Sequence, residues 1–173
     1  MATQRKKLQH LYLRAGFGEL PSVIRQKENL SLQQNVDALF SDSEKIEDLD
    51  LIPSPLEGKE DASNMRILRM IIKSREDVQK LNYHWLYRMT VTKSSLREKM
   101  TFFWHNHFST SVPFAYLMQQ QNNMLRKHAL GKFSDMLRAV SKDAAMMIYL
   151  NNQQNTKNSP NENFAREVME LFT

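Results

Sequence analysis

Between Ser63 and Met89 no proline or glycine interrupts the chain, and Met65, Leu68, Ile71, Ile72, Val78, Leu81, Trp85 and Met89 recur at helical spacing. An amphipathic run of that length fits neither a strand nor a loop, so the spacing predicts one long central helix. Everything around it points the same way. Glycine and proline, the residues that punctuate turns, number four and five, while helix-favouring methionine numbers eleven. The expectation is an all-α fold, an irregular multi-helix bundle forming a single helical domain over residues 1–173.

Shorter helices flank the central one. A first helix spans about Thr3 to Arg14 and stops at "AGFG", where Gly16 and Gly18 can take positive φ. Pro21 suits the first turn of a helix through Lys27, and "SLQQ" at 31–34 reads as a capping box. "TKSSLREK" predicts another helix, with Ser95 capping against Glu98 and with Leu96, Met100, Phe103 and His107 on one face. It ends near Phe108, because Pro113 holds Val112 out of the α region. Helices follow over about Pro113–Gly131, Phe133–Val140 and Asp143–Leu150, and "SPNE" at 159–162 predicts a capping box opening a last one. Residues 41–62, acidic and holding "IPSP", predict a mobile loop.

Charge and composition exclude several functions. Residues 42–61 hold eight acidic and two basic residues, a net of −6, so the remainder carries +11 of the overall +5. That surplus raises nucleic acid as a partner, but the basic residues are scattered and not interleaved with stacking aromatics, so solvated helix faces are the better explanation. No cysteine is present, which excludes disulfides, thiolate metal sites and a cysteine nucleophile. No apolar run reaches a membrane-spanning length, and the start of the sequence lacks the pattern of a signal peptide.

Chemistry-bearing residues gather in two stretches. "FFWHNHF" places His105 and His107 among Phe102, Phe103, Trp104 and Phe108. On an ideal helix two residues two apart diverge by about 200°, so the pair cannot chelate one ion as an i,i+4 pair could. His107 falls on an apolar face as a hydrogen-bonded core histidine, while His105 is the better candidate for a pocket. The contiguous "HNH" is not the dispersed nuclease motif, and the HEXXH pattern of zinc peptidases is absent. "PNENFAREVMELF" carries Glu162, Arg166, Glu167 and Glu170; Glu162 and Arg166 form a favourable i,i+4 pair, and the helix start could hold an anion. A carboxylate such as Glu162 brought beside His105 or His107 would make a mixed nitrogen and oxygen site for a divalent metal. Docking the two stretches predicts a ring nitrogen of His105 or His107 about 3 Å from a side chain between Asn161 and Glu170, directly or through one water or ion.

"LREKMTFFWHNHFSTS", "QNNMLRKHALGKFSDMLRAVSKDAAMMIYLNN" and "PNENFAREVMELFT" in this order, after an opening "RKKLQHLYLRAGFGELPSVI", closely resemble the bacterial domain of unknown function 1800 family. Position by position, the family's motif residues are Trp104, His105, Asn106, His107, Phe108, Arg126, His128, Asn161, Glu162, Asn163, Arg166, Glu167 and Glu170. The resemblance implies the N-terminal part of a larger, exported or periplasmic bacterial protein, with a sulfatase-like protein encoded nearby as partner. It implies no activity. Catalytic candidates are therefore His105 or His107 as metal ligand or general base, Glu162 or Glu167 as carboxylate partner and Arg166 for an anionic group, in hydrolytic or redox chemistry. A local likeness of "FFWHNHF" to the distal-histidine helix of animal-type haem peroxidases adds haem as a lesser cofactor. The alternative is a non-enzymatic helical scaffold or protein-binding module.

Overall fold

The computed structural model describes residues 3–55 and 64–172, with the backbone alone over 64–72. It is all-helical: α1 (Gln4–Ala15), α2 (Pro21–Lys27), α3 (Leu32–Asp42), α4 (Asn64–Val91), α5 (Ser95–His107), α6 (Ala115–His128), α7 (Phe133–Val140), α8 (Ala144–Tyr149) and α9 (Asn163–Glu167). A 3-10 turn, Asn152–Gln154, precedes α9, and a π-helical turn, Val168–Phe172, continues it.

The first three helices form a small cluster. Leu8, Tyr12, Ile24 and Leu39 are buried together, with Leu96 of α5 closing one side. Tyr12 donates its hydroxyl hydrogen to Asn35 Oδ1 at 3.0 Å, and Lys27 Nζ donates to the same hydroxyl at 2.9 Å, so the polar tip of this buried ring is satisfied. The predicted capping box is present: Ser31 Oγ accepts from Gln34 N at 3.1 Å, and Gln34 Oε1 from Ser31 N at 2.8 Å. Gly18 takes φ +96°, where an L side chain would be strained. A Cβ at Gly16 would stand 3.0 Å from Ser95 Oγ, so its absence lets the start of α5 approach α1 closely.

The main core joins Phe108, Leu125, Met136, Val140, Met146 and Phe172, with Trp104, Phe164 and Val168 packed against it. Phe172 of the π-helical turn thus docks against His107 and Phe108 at the end of α5, and Phe164 and Val168 pack on the same core. A third cluster holds Leu49, Leu81, Trp85 and Met89. Leu49 belongs to the acidic segment, whose described portion through Pro55 runs as a non-helical strap over α4 and α6. The expectation of mobility concerns in part residues 56–62, which lie outside the described residues. The portion up to Ile52 is tied down by hydrogen bonds from α6.

Two local expectations are corrected. α5 begins one residue early: Ser94 is its N-cap residue, without a side-chain cap bond, and its hydroxyl instead donates to Asp42 O at 2.6 Å. The buried face of α5 carries Arg97, Glu98 and Thr101, whereas Phe103 is 52% exposed. The rotation follows because neighbouring helices supply partners for the polar groups, which apolar spacing cannot register. The last helix starts at Asn163 with no Ser159–Glu162 box; Ser159 is held in a turn paired with Thr156, and Asn161 Oδ1 accepts from Asn163 N at 3.0 Å.

Candidate functional site

Gln119, Asn122, Asn123 and Arg126 recur at steps of three, one and three along α6, the spacing of a helix face, and all are buried. Such a polar stripe toward the interior requires partners, and α5 supplies the central one. Glu98, 1% exposed, receives Arg126 through Nε on Oε1 at 2.7 Å and through the second guanidinium nitrogen on Oε2 at 3.1 Å. Trp85 Nε1 donates to Oε2 at 2.8 Å, and Arg88 Nε lies 3.2 Å from Oε1. Arg126 also donates to Asn123 Oδ1 at 2.8 Å and Asn122 Oδ1 at 2.7 Å. The result is a closed, bidentate, charge-assisted network beneath Trp85.

Arginine surrounds this carboxylate in excess. Burial pushes the Arg88 guanidinium below the usual arginine range, and nearby Arg126 adds to the effect while Glu98 opposes it. Arg97, lowered chiefly by burial, donates from Nε to Ser43 O at 2.7 Å and from the terminal nitrogen to Arg126 O at 2.9 Å. Both guanidiniums stay charged and convert their hydrogens into backbone contacts between elements distant in sequence. A second buried amide, Gln121, donates to Thr110 Oγ1 at 3.0 Å and Asp143 Oδ2 at 2.8 Å, while its Oε1 is buried with no hydrogen-bond partner. Burial raises the Asp143 pKa, against the opposing bonds from Met146 N and Gln121.

The two motif histidines part company. His105 meets Trp85 edge-on, with ring centroids 5.1 Å apart, and burial lowers its pKa, which favours the neutral ring. His107 stacks on Phe103 and lies edge-on to Phe108, and its Nε2 is 3.1 Å from Phe172 O. Contact with the C-terminal segment is therefore made by His107, but through a backbone carbonyl two residues beyond the expected stretch. Neither ring has a hydrogen bond to a side chain between Asn161 and Glu170 among the described residues.

The other candidates are spread along α9. Glu162 is exposed and lines a shallow polar hollow with Asn151, Gln154 and Ser159. Arg166 donates to Asn163 Oδ1 at 2.9 Å, in place of the expected pair with Glu162. Glu167 is half-buried and Glu170 exposed. Trp104 Nε1 donates to Ala129 O at 3.1 Å, tying the motif tryptophan to the end of α6. Among the described residues no group of three or more His, Asp or Glu side chains is placed to hold a metal ion.

An apolar cleft lies elsewhere. It has a volume of about 440 Å3 and is walled by Ile52 and Pro53 of the strap, Phe114 and Leu117 at the start of α6, and Ile148 of α8, with Lys73 and Asp77 of α4 among its lining. Ser74, buried beside it, accepts from Ala115 N at 2.6 Å and so satisfies an amide at the open start of α6. Neither this cleft nor the Glu98–Arg126 centre was among the expected sites. The sequence signal for the latter is the polar stripe on α6, which apolar periodicity does not register. No helix among the described residues is long and apolar enough to cross a membrane.

The model of a family described as "Protein of unknown function (DUF1800)" matches residues 10–173. No curated protein and no solved structure matches the chain.

Proposed function

The chain belongs to the DUF1800 family, whose description assigns no activity, and from its geometry we propose that it is a helical binding module whose ligand site is the apolar cleft between the strap, α4 and α6. One observation carries this reading. The cleft's volume of about 440 Å3 falls within the range of small-molecule sites, and its walls are apolar. Elsewhere the buried charges of the α5–α6 centre are engaged with one another, which suits a scaffold better than a reaction centre. The cleft fits a compact aromatic or branched aliphatic group, with Lys73 and Asp77 as polar handles. By the family resemblance, a sulfatase-like protein is the partner to try first.

Ligand-observed NMR with small aromatic probes such as indole tests this on the full chain. Saturable binding is expected, and Leu117→Trp should abolish it without lowering the melting temperature. Absence of saturable binding at millimolar probe would sink the cleft reading.

A second reading rests on His107. Because Phe172 O only accepts, Nε2 carries the hydrogen of that contact, which makes Nδ1 the nitrogen through which the ring could meet a metal ion. Hydrolytic or redox chemistry there, with His105, Glu162, Arg166 or Glu167 as partners, predicts stoichiometric metal or haem in protein purified without chelator or histidine tag. Metal-free and haem-free protein, with His105 and His107 replacements affecting stability alone, would refute it.

A further inference from the structure

The strap is held as a peptide ligand is held. Its backbone pairs with side-chain amides instead of a neighbouring strand: Asn123 Oδ1 accepts from Leu49 N and Asn123 Nδ2 donates to Leu49 O, both at 2.8 Å. One turn earlier on α6, Gln119 Oε1 accepts from Leu51 N at 2.8 Å and Ile52 N at 2.9 Å, while its Nε2 donates to Ile52 O at 3.0 Å. Residues four apart on a helix are separated by about 6 Å along its axis, and two residues of extended chain span about 6.6 Å. Two amides at i,i+4 therefore match the repeat of an extended peptide. Their orientation is set beforehand, because Asn123 Oδ1 also accepts from Arg126, itself locked on Glu98.

Side-chain selection is added most strongly at Leu49, with Ile52, 8% exposed, buried at the downstream end. Leu49, 1% exposed, fills a socket with Leu81, Trp85 and Met89, whereas Asp48, Asp50 and Leu51 face outward. Upstream, Arg88 donates to Glu47 O and, at 3.3 Å, to Asp48 O, and lies 3.7 Å from Glu47 Oε2. Backbone-directed amides, one deep apolar socket and a guanidinium beside an acidic residue together describe a reader of extended chain.

We propose that the groove between α4 and α6 is a binding site for an extended acidic–apolar peptide segment of another protein, occupied in this chain by its own residues 47–52. The segment recognised carries an acidic residue, then a leucine-like residue two positions on, then two free backbone amides. This rests on the reading of the chain as a binding module and shares Ile52 with the cleft, but strap opening is read by amide exchange on the unaltered chain with no probe present, so failure of either can be told from failure of the other.

Native-state hydrogen exchange on the unaltered chain tests displacement directly. The Leu49, Leu51 and Ile52 amides should exchange at least about tenfold faster than those of Phe108 and Leu125, through an opening that leaves α5 and α6 protected. Exchange of the strap amides only by global unfolding would overturn the proposal. For recognition, a labelled peptide with the sequence of residues 44–55 should bind the full chain carrying Leu49→Asp, whose own strap cannot seat. The same peptide with Leu49→Asp should not bind, and adding Gln119→Leu to the host should weaken binding about tenfold or more. A folded Leu49→Asp chain that binds neither peptide, or both equally, overturns it. So does concentration-dependent dimerisation without peptide binding, which would assign the groove to a second copy. Should Leu49→Asp fail to fold, the exchange experiment decides alone.

Discussion

Replacing Glu98 by alanine attacks the most connected carboxylate among the described residues. It strips Arg126 of contacts at 2.7 and 3.1 Å, Trp85 Nε1 of its acceptor at 2.8 Å and Arg88 of a partner at 3.2 Å. Arg126 is 0% exposed and keeps its charge, so the loss is that of a buried pair broken on one side, about 3–5 kcal/mol. Against a total of roughly 5–15 kcal/mol for a domain of ordinary stability, that is a large fraction. Urea unfolding followed by far-ultraviolet circular dichroism reads it as a fall in midpoint at constant slope. The full cycle adds Arg126→Ala and the double variant, and the double loss should fall short of the sum by about 2 kcal/mol or more, because the second deletion removes the stranded charge. Raising salt should leave the coupling nearly unchanged, since water does not reach the pair. A loss below about 1 kcal/mol for Glu98→Ala, the size of an exposed ion pair, or an additive cycle, would refute the claim that this network organises the core.

Other expectations follow from single groups. Asp143 accepts from Met146 N at 2.8 Å as the N-cap of α8, so Asp143→Ala should cost about 1 kcal/mol, whereas Asp143→Asn keeps the cap, removes a half-buried charge and should match or exceed the parent at neutral pH in urea melts. His105 has a folded-state pKa below its ordinary value of 6.5, so the unfolded chain binds the extra proton first and stability falls as pH drops through 6.5 toward the folded pKa. His105→Phe should flatten that part of the stability profile; an unchanged slope would remove His105 as its source. Gly18→Ala, at φ +96°, should destabilise by about 1 kcal/mol or more in the same melts.

Helix spacing carried the architecture well because apolar periodicity and turn residues are local signals. The bounds of α2 and α7 and the Ser31–Gln34 box appear where expected. The sites were less legible. Glu98 had a plausible local role as a cap partner, and nothing within one helical turn indicates that its true partner stands 28 residues away. Arg126 was noticed only as a motif residue of the family, because a lone arginine ordinarily reads as solvent-facing. The histidines were recognised as unusual for their aromatic company, yet their divergence depended on which neighbour each helix face met: Trp85 for His105 and Phe172 for His107. In the strap, nothing local marks Leu49, Leu51 and Ile52 as held, since the amides that pair with them lie on α6.

That separation has a cost in time during synthesis. Ile52 meets Gln119 across 67 positions and Leu49 meets Asn123 across 74, so closing the loop takes roughly 4 kcal/mol of chain entropy and belongs late in folding. At a ribosomal pace of about 5–20 residues per second, the leucines of the strap wait on the order of several seconds before α6 exists to receive them. An exposed run of "LDLI" in that interval invites wrong partners. Glu44, Glu47, Asp48 and Asp50, in or beside that run, are charges of the kind that keep a nascent apolar stretch from pairing with its neighbours. The acidity of the segment thus serves the chain before the fold is complete, in the seconds when its socket has yet to be made.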